Sequence, residues 1–180
     1  MRARQGLRGF SLLELVIALS LIAVLASIAL DRMLVYFEYA ENVAMETNLA
    51  ILKRALAMRT AGYLIQGRYD RIAQLATENP MDWLAEPPAN YIGEVDYPRE
   101  ADLPRGVWYF DRATRELAYR PKAKRTFEPG PDGNSEVRFR AIVKLAGVPG
   151  VAASEDRGLT EVSELTLRPV RPYRWAAQPP

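Results

Sequence analysis

The sequence predicts an α+β protein in which a long N-terminal helix packs against a small antiparallel β-sheet. A long apolar run occupies residues 10–30, and a helical pattern continues it to residue 61. After Gly106, short segments instead alternate apolar and polar side chains, which is the period of strands. The chain has 180 residues, 49% of them hydrophobic, which suits one small domain in addition to the apolar helix.

The apolar run, Phe10 to Leu30, is long enough to be a membrane-spanning helix. Its 21 residues match the roughly 20 that a helix needs to cross the hydrocarbon core of a bilayer. Arg2, Arg4 and Arg8 precede it without an acidic residue. This predicts a single-pass membrane protein with a cytoplasmic N-terminus; in a bacterium, that means the inner membrane, with the domain in the periplasm. Glu14 stands out in the run, because a charged side chain at mid-membrane costs about 2.5–3.5 kcal/mol on insertion scales.

Three kinds of N-terminal segment are compatible with this run. A secretory signal peptide would be cleaved near Ser27 to Ala29, but its apolar region is usually only about 7–15 residues long. An uncleaved signal anchor agrees with the length and gives Glu14 no role. The third possibility is a cut before the apolar run.

The stretch RGFSLLELVIAL, Arg8 to Leu19, favours the third possibility. It resembles the prepilin signature of type IV pilins and of the pseudopilins of type II secretion. The resemblance implies that a prepilin peptidase cleaves after Gly9, which removes a leader of residues 1–9, and that the new N-terminal residue Phe10 is N-methylated. It also implies two further kinds of partner, namely other pilin or pseudopilin subunits and an inner-membrane assembly platform.

Glu14 lies one helical turn beyond the implied new N-terminus. A carboxylate in the first turn is stabilised by the helix dipole, typically by about 0.3–1 kcal/mol. Within an apolar bundle it can also neutralise the Phe10 amine of a neighbouring subunit, and such a buried ion pair imposes one register. We therefore interpret Glu14 as an assembly residue. The alternative is a charge tolerated at the membrane edge.

Residues 31–61 predict an amphipathic continuation of the helix. The segment has no proline or glycine, and an apolar stripe recurs in it at steps of 4, 3 and 4 residues: Met45, Leu49, Leu52 and Leu56. Gly62 is the candidate C-cap. A single helix from about Leu12 to Ala61 would be roughly 75 Å long. The alternative is a break near Asp31 and Arg32.

Residues 62–167 predict a periplasmic globular region, which the resemblance implies to be pilin-like. Asp70–Thr77 predicts a short helix with Asp70 as its cap, and Asn79-Pro80 a turn that carries Trp83. The prolines between residues 87 and 104 predict a long extended loop.

Four strands are predicted for the sheet. Gly106–Phe110 and Glu116–Arg120 flank a turn and form a hairpin. Residues 137–145 alternate apolar with mostly basic side chains, and residues 159–167 alternate less cleanly. The basic, proline-rich residues 168–180 predict an irregular strap or a disordered end.

Composition argues against an enzyme. The chain has no cysteine and no histidine, so disulfides, thiolate metal sites and histidine-based nucleophile arrangements are excluded. We expect no catalytic residue, no cofactor and no metal. The stretch PDGNSE, Pro131 to Glu136, offers several oxygen ligands for calcium, but it lacks the EF-hand spacing and its Asp-Gly pair favours a plain turn.

The net charge of +2 depends on the leader. Without its three arginines, 21 basic and 22 acidic residues remain, which gives −1. Nucleic acid is therefore not an expected partner. Residues 115–144 hold eight basic and four acidic residues, whereas residues 82–102 hold six acidic and one basic. These two segments are either solvated surface or complementary surfaces of neighbouring subunits.

The resemblance implies a pseudopilin or minor pilin subunit, which assembles into a filament for protein secretion across the outer membrane or into a type IV pilus. The absence of cysteine differs from pilins that close a C-terminal loop with a disulfide, and it favours a secretion pseudopilin. The alternative is a monomeric binding or scaffold domain anchored in the inner membrane. That class predicts an intact leader or a cut after Ala29.

Overall fold

A computed structural model describes residues 11–99, 102–130, 133, 135–147 and 160–176, with the backbone alone at 145–147 and 160–161. Two helices are followed by seven strands, with a 3₁₀ turn between them. The elements are α1 (Leu12–Ile65), α2 (Tyr69–Gln74), the 3₁₀ turn (Pro80–Trp83), β1 (Tyr91–Val95), β2 (Val107–Asp111), β3 (Glu116–Arg120), β4 (Phe127–Glu128), β5 (Val137–Gly147), β6 (Thr160–Pro169) and β7 (Arg174–Trp175). The α+β, pilin-like fold class is confirmed.

Helix α1 is helical through Asp31 and Arg32, so the predicted alternative of a break there is wrong. It ends four residues beyond the predicted Ala61, and Gly62 remains helical. The terminating glycine is Gly67, whose φ of +68° places it in the left-handed region. A glycine weakens a helix without stopping it, and Tyr63, which packs against the core, supports the additional turn.

The chain divides into two compact units. The first extends to Phe37, and the second begins at Glu38. In the first unit, the apolar side chains of α1 are almost all exposed. The most apolar 18-residue window of α1 has a mean hydropathy of 2.6, so by length and composition this helix is able to cross a membrane.

The second unit contains a five-stranded mixed sheet with the order β1-β2-β3-β5-β6. Neighbours from β2 to β6 are antiparallel, as predicted. The predicted hairpin of β2 and β3 is present, with Asp111 opposite Glu116. Its turn is fixed by the Asp111 carboxylate, which accepts hydrogen bonds from the N–H groups of Ala113 at 3.0 Å and Thr114 at 3.3 Å.

Strand β1 is a correction to the predicted loop. It pairs in parallel with β2, with an irregularity between Tyr91 and Glu94 that contains Gly93 at a φ of +99°. The side chain of Asn90 fixes its start by donating to the carbonyl of Gly106 at 2.8 Å. The prolines on either side and the central glycine are unusual in strands, so the sequence pattern did not predict this strand. It forms because the edge of β2 is available for pairing.

The short elements after α1 agree partly with the sequence. Ile72 and Leu75 are fully buried, as expected for the predicted short helix. Asp70, however, is not its cap, because the N-cap position of α2 is Arg68 and no side chain caps it. The turn at Asn79-Pro80 is confirmed, since the Asn79 carboxamide oxygen accepts from the Met81 N–H at 3.1 Å.

The core lies between α1 and one face of the sheet. The predicted stripe is buried throughout, and Leu52 and Leu56 have no exposed surface. Against it pack the alternate residues of the central strands, foremost Trp108, whose ring centroid lies 4.7 Å from that of Tyr119. Other sheet residues in this core are Phe110, Leu117, Val137, Phe139, Ala141 and Leu167.

The C-terminal residues form the predicted strap, with a short strand that the sequence did not suggest. Strand β7 pairs with β4, and the Trp175 ring lies 5.2 Å from the Phe127 ring. The Trp175 indole N–H donates to the Thr126 hydroxyl at 3.1 Å. The strap therefore covers one end of the core. Residues 177–180 lie outside the described residues.

We predict that Leu52→Ala lowers the free energy of unfolding by about 2–5 kcal/mol, because it removes a fully buried side chain and leaves a cavity. Denaturant titration of the detergent-solubilised chain, followed by tryptophan fluorescence, measures this loss. Ile51→Ala is the matched control, since Ile51 is 43% exposed and its change is expected to stay within about 0.5–1 kcal/mol. Equal effects of the two substitutions would contradict the packing.

Candidate assembly site on the N-terminal helix

The described part of the site begins just after the implied cleavage point. Gly9 and Phe10 lie outside the described residues, and Glu14 lies in the first turn of α1 with an exposed side chain. The helix starts immediately, since the N–H of Leu15 donates to the carbonyl of Ser11 at 3.0 Å. The first turn therefore places a carboxylate at the positive end of the helix dipole.

Ser20, a polar residue of the apolar run, is accommodated within the helix. Ser20 donates its hydroxyl to the carbonyl of Val16 at 2.8 Å. This is the usual way in which serine meets its hydrogen-bonding requirement in an apolar helix. Glu14 is different, because a carboxylate ion has no donor to offer to a backbone carbonyl. A partner of this carboxylate would have to be a hydrogen-bond donor or a cation.

A second apolar surface lies on the outer side of α1, opposite the buried stripe. Val43, Ile51, Met58 and Ile65 are 62%, 43%, 77% and 87% exposed. The two steps of seven residues drift by only about 20° each and the step of eight, from Val43 to Ile51, by about 80°, so that all four residues stay on one side of the helix. We call this set the outer row. Thr47 and Arg54 are polar residues on the same side.

Two glutamates at the start of the second unit bind the loop between β3 and β4, residues 121–126. The Glu41 carboxylate accepts from the Tyr119 hydroxyl at 2.7 Å and from the N–H groups of Lys122 and Ala123 at 2.8 and 2.9 Å. The Glu38 carboxylate accepts from the next three N–H groups, those of Lys124 at 2.9 Å, Arg125 at 3.0 Å and Thr126 at 2.9 Å. Five consecutive amides are thereby bound by two side chains of α1.

These hydrogen bonds change the acidity of Glu38. Burial by itself would raise the pKa of this carboxyl, but the hydrogen bonds from the Lys124, Thr126 and Arg125 amides and the Thr126 hydroxyl outweigh it, and the pKa lies below its usual value. The carboxylate form is therefore preferred by the folded protein. Glu38 and Glu41 act as structural acceptors that attach the β3–β4 loop to α1.

A second charged cluster lies on the face of the sheet that is turned away from α1. Arg138 donates to Asp111 at 2.9 Å and to Glu136 at 3.2 Å, and Glu136 also accepts from the Tyr109 hydroxyl at 2.7 Å. Burial would raise the pKa of Asp111, but its bonds from Arg138 and from Thr114 hold it below the usual value. The cluster borders a cavity of about 240 Å³, and its carboxylates are engaged by the arginine.

One residue of this cluster, Glu136, also belongs to the possible calcium loop. Pro131, Asp132 and Asn134 lie outside the described residues. Gly133 has a φ of +69°, and its N–H donates to the carbonyl of Gly130 at 2.9 Å, which is a turn. Glu136 is committed to Tyr109 and Arg138. Within the described ranges, no group of three or more metal-ligating side chains is placed to hold an ion.

The sequence indicated Glu14 but not Glu38 or Glu41. The partners of these two glutamates are backbone amides about 80 residues further along the chain, and backbone amides leave no mark in a sequence. The sequence offered only a weak signal for the role of these two glutamates. Two acids three residues apart border the buried stripe, in a position to face a neighbouring element.

Comparison with known protein families matches residues 4–30 to a family model described as the prokaryotic N-terminal methylation motif. The matched segment includes the Gly9–Phe10 junction and Glu14. No curated protein and no solved structure matches the chain.

We predict that Glu38→Gln destabilises the second unit at neutral pH. Because the pKa of Glu38 is lowered by folding, its stabilising contribution is present above the unfolded-state pKa and is lost as the pH falls through the folded-state pKa. The variant should lose about 1.5–3 kcal/mol at pH 7, the range for hydrogen bonds to a charged group. It should also show a weaker decline in stability on acidification.

Denaturant titrations between neutral pH and pH 3 measure both effects. Glu46→Gln is the control, because Glu46 is an exposed acid of the same helix. Identical pH profiles for the Glu38 variant and the unmodified chain would contradict the assigned role.

Proposed function

We propose that this chain, which carries the type IV pilin and pseudopilin signature at residues 4–30, is a pseudopilin or minor pilin subunit. In this function it is cleaved and methylated at its N-terminus, held in the inner membrane by α1, and packed with other subunits into a filament. The methylation motif is the observation that carries the proposal. It includes the first part of α1, whose apolar side chains are exposed.

The outer row supports assembly over a monomeric anchor. Crossing a bilayer takes about 20 apolar residues, which the run ending at Leu30 already supplies. The outer row lies beyond it, and Val43 to Ile65 extend about 33 Å along the helix. In a monomer this surface would face water. Contact with other helices would bury it, with a gain of about 25 cal/mol for each Å² of apolar surface.

Small residues beside the outer row favour helix partners in particular. Ala40, Ala44, Ala57 and Ala61 are exposed on this side of α1. Small side chains permit close approach of helix backbones. We therefore assign the outer side of α1 to contacts with the corresponding helices of other subunits.

Glu14 completes the proposed interface. Its carboxylate neutralises the methylated amine of Phe10 in an adjacent subunit, so that neither charge is buried alone in an apolar bundle. The pair has only one register in which it forms. A shift by one residue would separate the charges.

Two other proteins act on the chain in this function. The prepilin peptidase removes the leader, and an inner-membrane platform drives assembly. The second unit lies in the periplasm. The work of the chain is mechanical, not enzymatic, and we favour secretion across the outer membrane over a type IV pilus because the chain lacks cysteine.

Cleavage is the first prediction of this function. Intact-mass analysis of the membrane-extracted protein should show loss of residues 1–9 and the addition of one methyl group at Phe10. Gly9→Val should block processing, because its branched side chain crowds the approach of the peptidase to the peptide bond. Gly6→Val, in the same leader, should be processed normally. A mature chain that begins at Leu30, or an intact Met1, would refute the pilin assignment.

The second prediction concerns Glu14. Glu14→Leu should insert into the membrane at least as well as the unmodified chain, because a charge is removed, and it should still be cleaved. Assembly should fail, because the ammonium group of the neighbour would be buried without a partner, a loss of about 3–5 kcal/mol per contact. Glu14→Gln should be nearly as defective, since it cannot neutralise charge.

Membrane fractionation and crosslinking of subunits separate insertion from assembly. Ser20→Ala is the control, because it also removes a polar group from the apolar run and should assemble normally. Normal assembly of both Glu14 variants would mean that this carboxylate is a charge tolerated at the membrane edge.

A further inference from the structure

Helix α1 enters the second unit at Glu38. The boundary between the two compact units lies between Phe37 and Glu38, and the helix is continuous across it. Because the chain is covalent, any pull on the apolar N-terminal segment reaches the second unit through the backbone at Glu38.

The hydrogen bonds of Glu38 and Glu41 are concentrated at this point of entry. The two carboxylates lie three residues apart, on one turn of the helix. They accept from five consecutive amides of the β3–β4 loop and from the hydroxyls of Tyr119 and Thr126. Hydrogen bonds to an ionised acceptor are roughly twice as strong as bonds between neutral groups. A pull on this turn therefore stretches a set of strong bonds at the same time, and the bonds share the force.

The donors of these bonds belong to well-supported parts of the second unit. Tyr119 lies on β3, which pairs with β2 on one side and with β5 on the other. The Thr126 hydroxyl accepts from the Trp175 indole at 3.1 Å, which connects Glu38 to the C-terminal strap. A force on the helix turn is thus passed to the middle of the sheet and to the strap.

Further along α1, the attachment to the sheet has a different character. There the helix is attached by the stripe from Met45 to Leu56, whose members follow one another at intervals of about one turn. Contacts between apolar atoms are individually weak and have no preferred direction. A pull that reached this stripe from the N-terminal end would break its contacts one turn at a time, and the helix would peel away from the sheet.

We propose that Glu38 and Glu41, with the donors that they bind, form a mechanical joint that keeps α1 attached to the sheet while the subunit is pulled through its N-terminal helix. We call this set of bonds the carboxylate joint. The inference rests on the proposed function only for the origin of the pull, namely the transfer of the subunit from the membrane into the filament. The joint resists a force that enters at Glu38, and it has little effect on a force that enters elsewhere.

The test pulls the full chain, held in detergent micelles, with optical tweezers at constant force. The chain has no cysteine, so a pair of introduced cysteines defines the two points at which the handles are attached. One handle is attached at Ala113→Cys, in the exposed turn of the β2–β3 hairpin. The other is attached at Phe37→Cys, directly before the joint, or at Ala61→Cys, towards the other end of the same helix. All three positions are exposed.

Glu38→Gln combined with Glu41→Gln weakens the joint, because glutamine keeps one acceptor oxygen and carries no charge. When the chain is pulled at Phe37→Cys, this double variant should shorten the lifetime of the folded second unit by at least about tenfold. When the chain is pulled at Ala61→Cys, the shortening should stay below about threefold, because the joint is then not the first barrier to unfolding. Glu46→Gln, which changes an exposed acid of the same helix, is the matched control and should leave both lifetimes unchanged.

Thr126→Val provides a milder variant in case the double variant does not fold. It keeps both carboxylates and removes only the hydroxyl that donates to Glu38 at 3.0 Å and accepts from Trp175. Its effect on the lifetime should be smaller, with the same dependence on the point of pulling.

The outcomes separate a mechanical role from ordinary stabilisation. Equal shortening of the lifetime at the two pulling points, or no shortening at Phe37→Cys, would overturn the carboxylate joint. Either result would leave the proposed function intact, because cleavage and assembly are measured independently. A chain that shows the predicted dependence on pulling point but is neither cleaved nor assembled would support the joint and overturn the proposed function alone.

Discussion

The constraint on which the rest of the structure depends is that the sheet covers only one side of α1. Leu52 and Leu56 are fully buried against the sheet, while Met58 and Ile65, on the opposite side, are among the most exposed apolar residues described. A two-layer domain has a single interface and leaves its outer surfaces free. The same helix therefore organises the core of the domain with one side and leaves an apolar surface exposed on the other.

Charge is used in two different ways around this core. On the far side of the sheet, Arg138 forms ion pairs with three carboxylates that would otherwise repel one another, those of Asp111, Glu116 and Glu136. Near the start of the second unit, Glu38 and Glu41 bind five backbone amides that no strand pairs with. Thr126 extends this connection, because its hydroxyl donates to Glu38 and accepts from Trp175. The β3–β4 loop, α1 and the C-terminal strap are thus held by one set of hydrogen bonds.

Features that follow from a periodic pattern of side chains were predictable from the sequence. Features that depend on pairing with backbone groups far along the chain were not. The Met45 to Leu56 stripe and the β2–β3 hairpin follow from local patterns, and both are present. Strand β1 was missed because its pairing depends on the edge of β2 and not on its own interrupted pattern. Of the site, Glu14 was evident as a charge in an apolar run, whereas Glu38 and Glu41 look like ordinary surface acids until their amide partners are known.

The outer row also limits how the domain behaves away from lipid. Removal of residues 1–37 would take away the membrane span, yet the apolar side chains from Val43 to Ile65 would still face water. Contiguous exposed apolar surface promotes nonspecific aggregation when no specific partner is present. Residence in a bilayer does not shield these residues, because they follow the span. The side chains of the outer row therefore need cover from other protein surfaces even when the span is inserted.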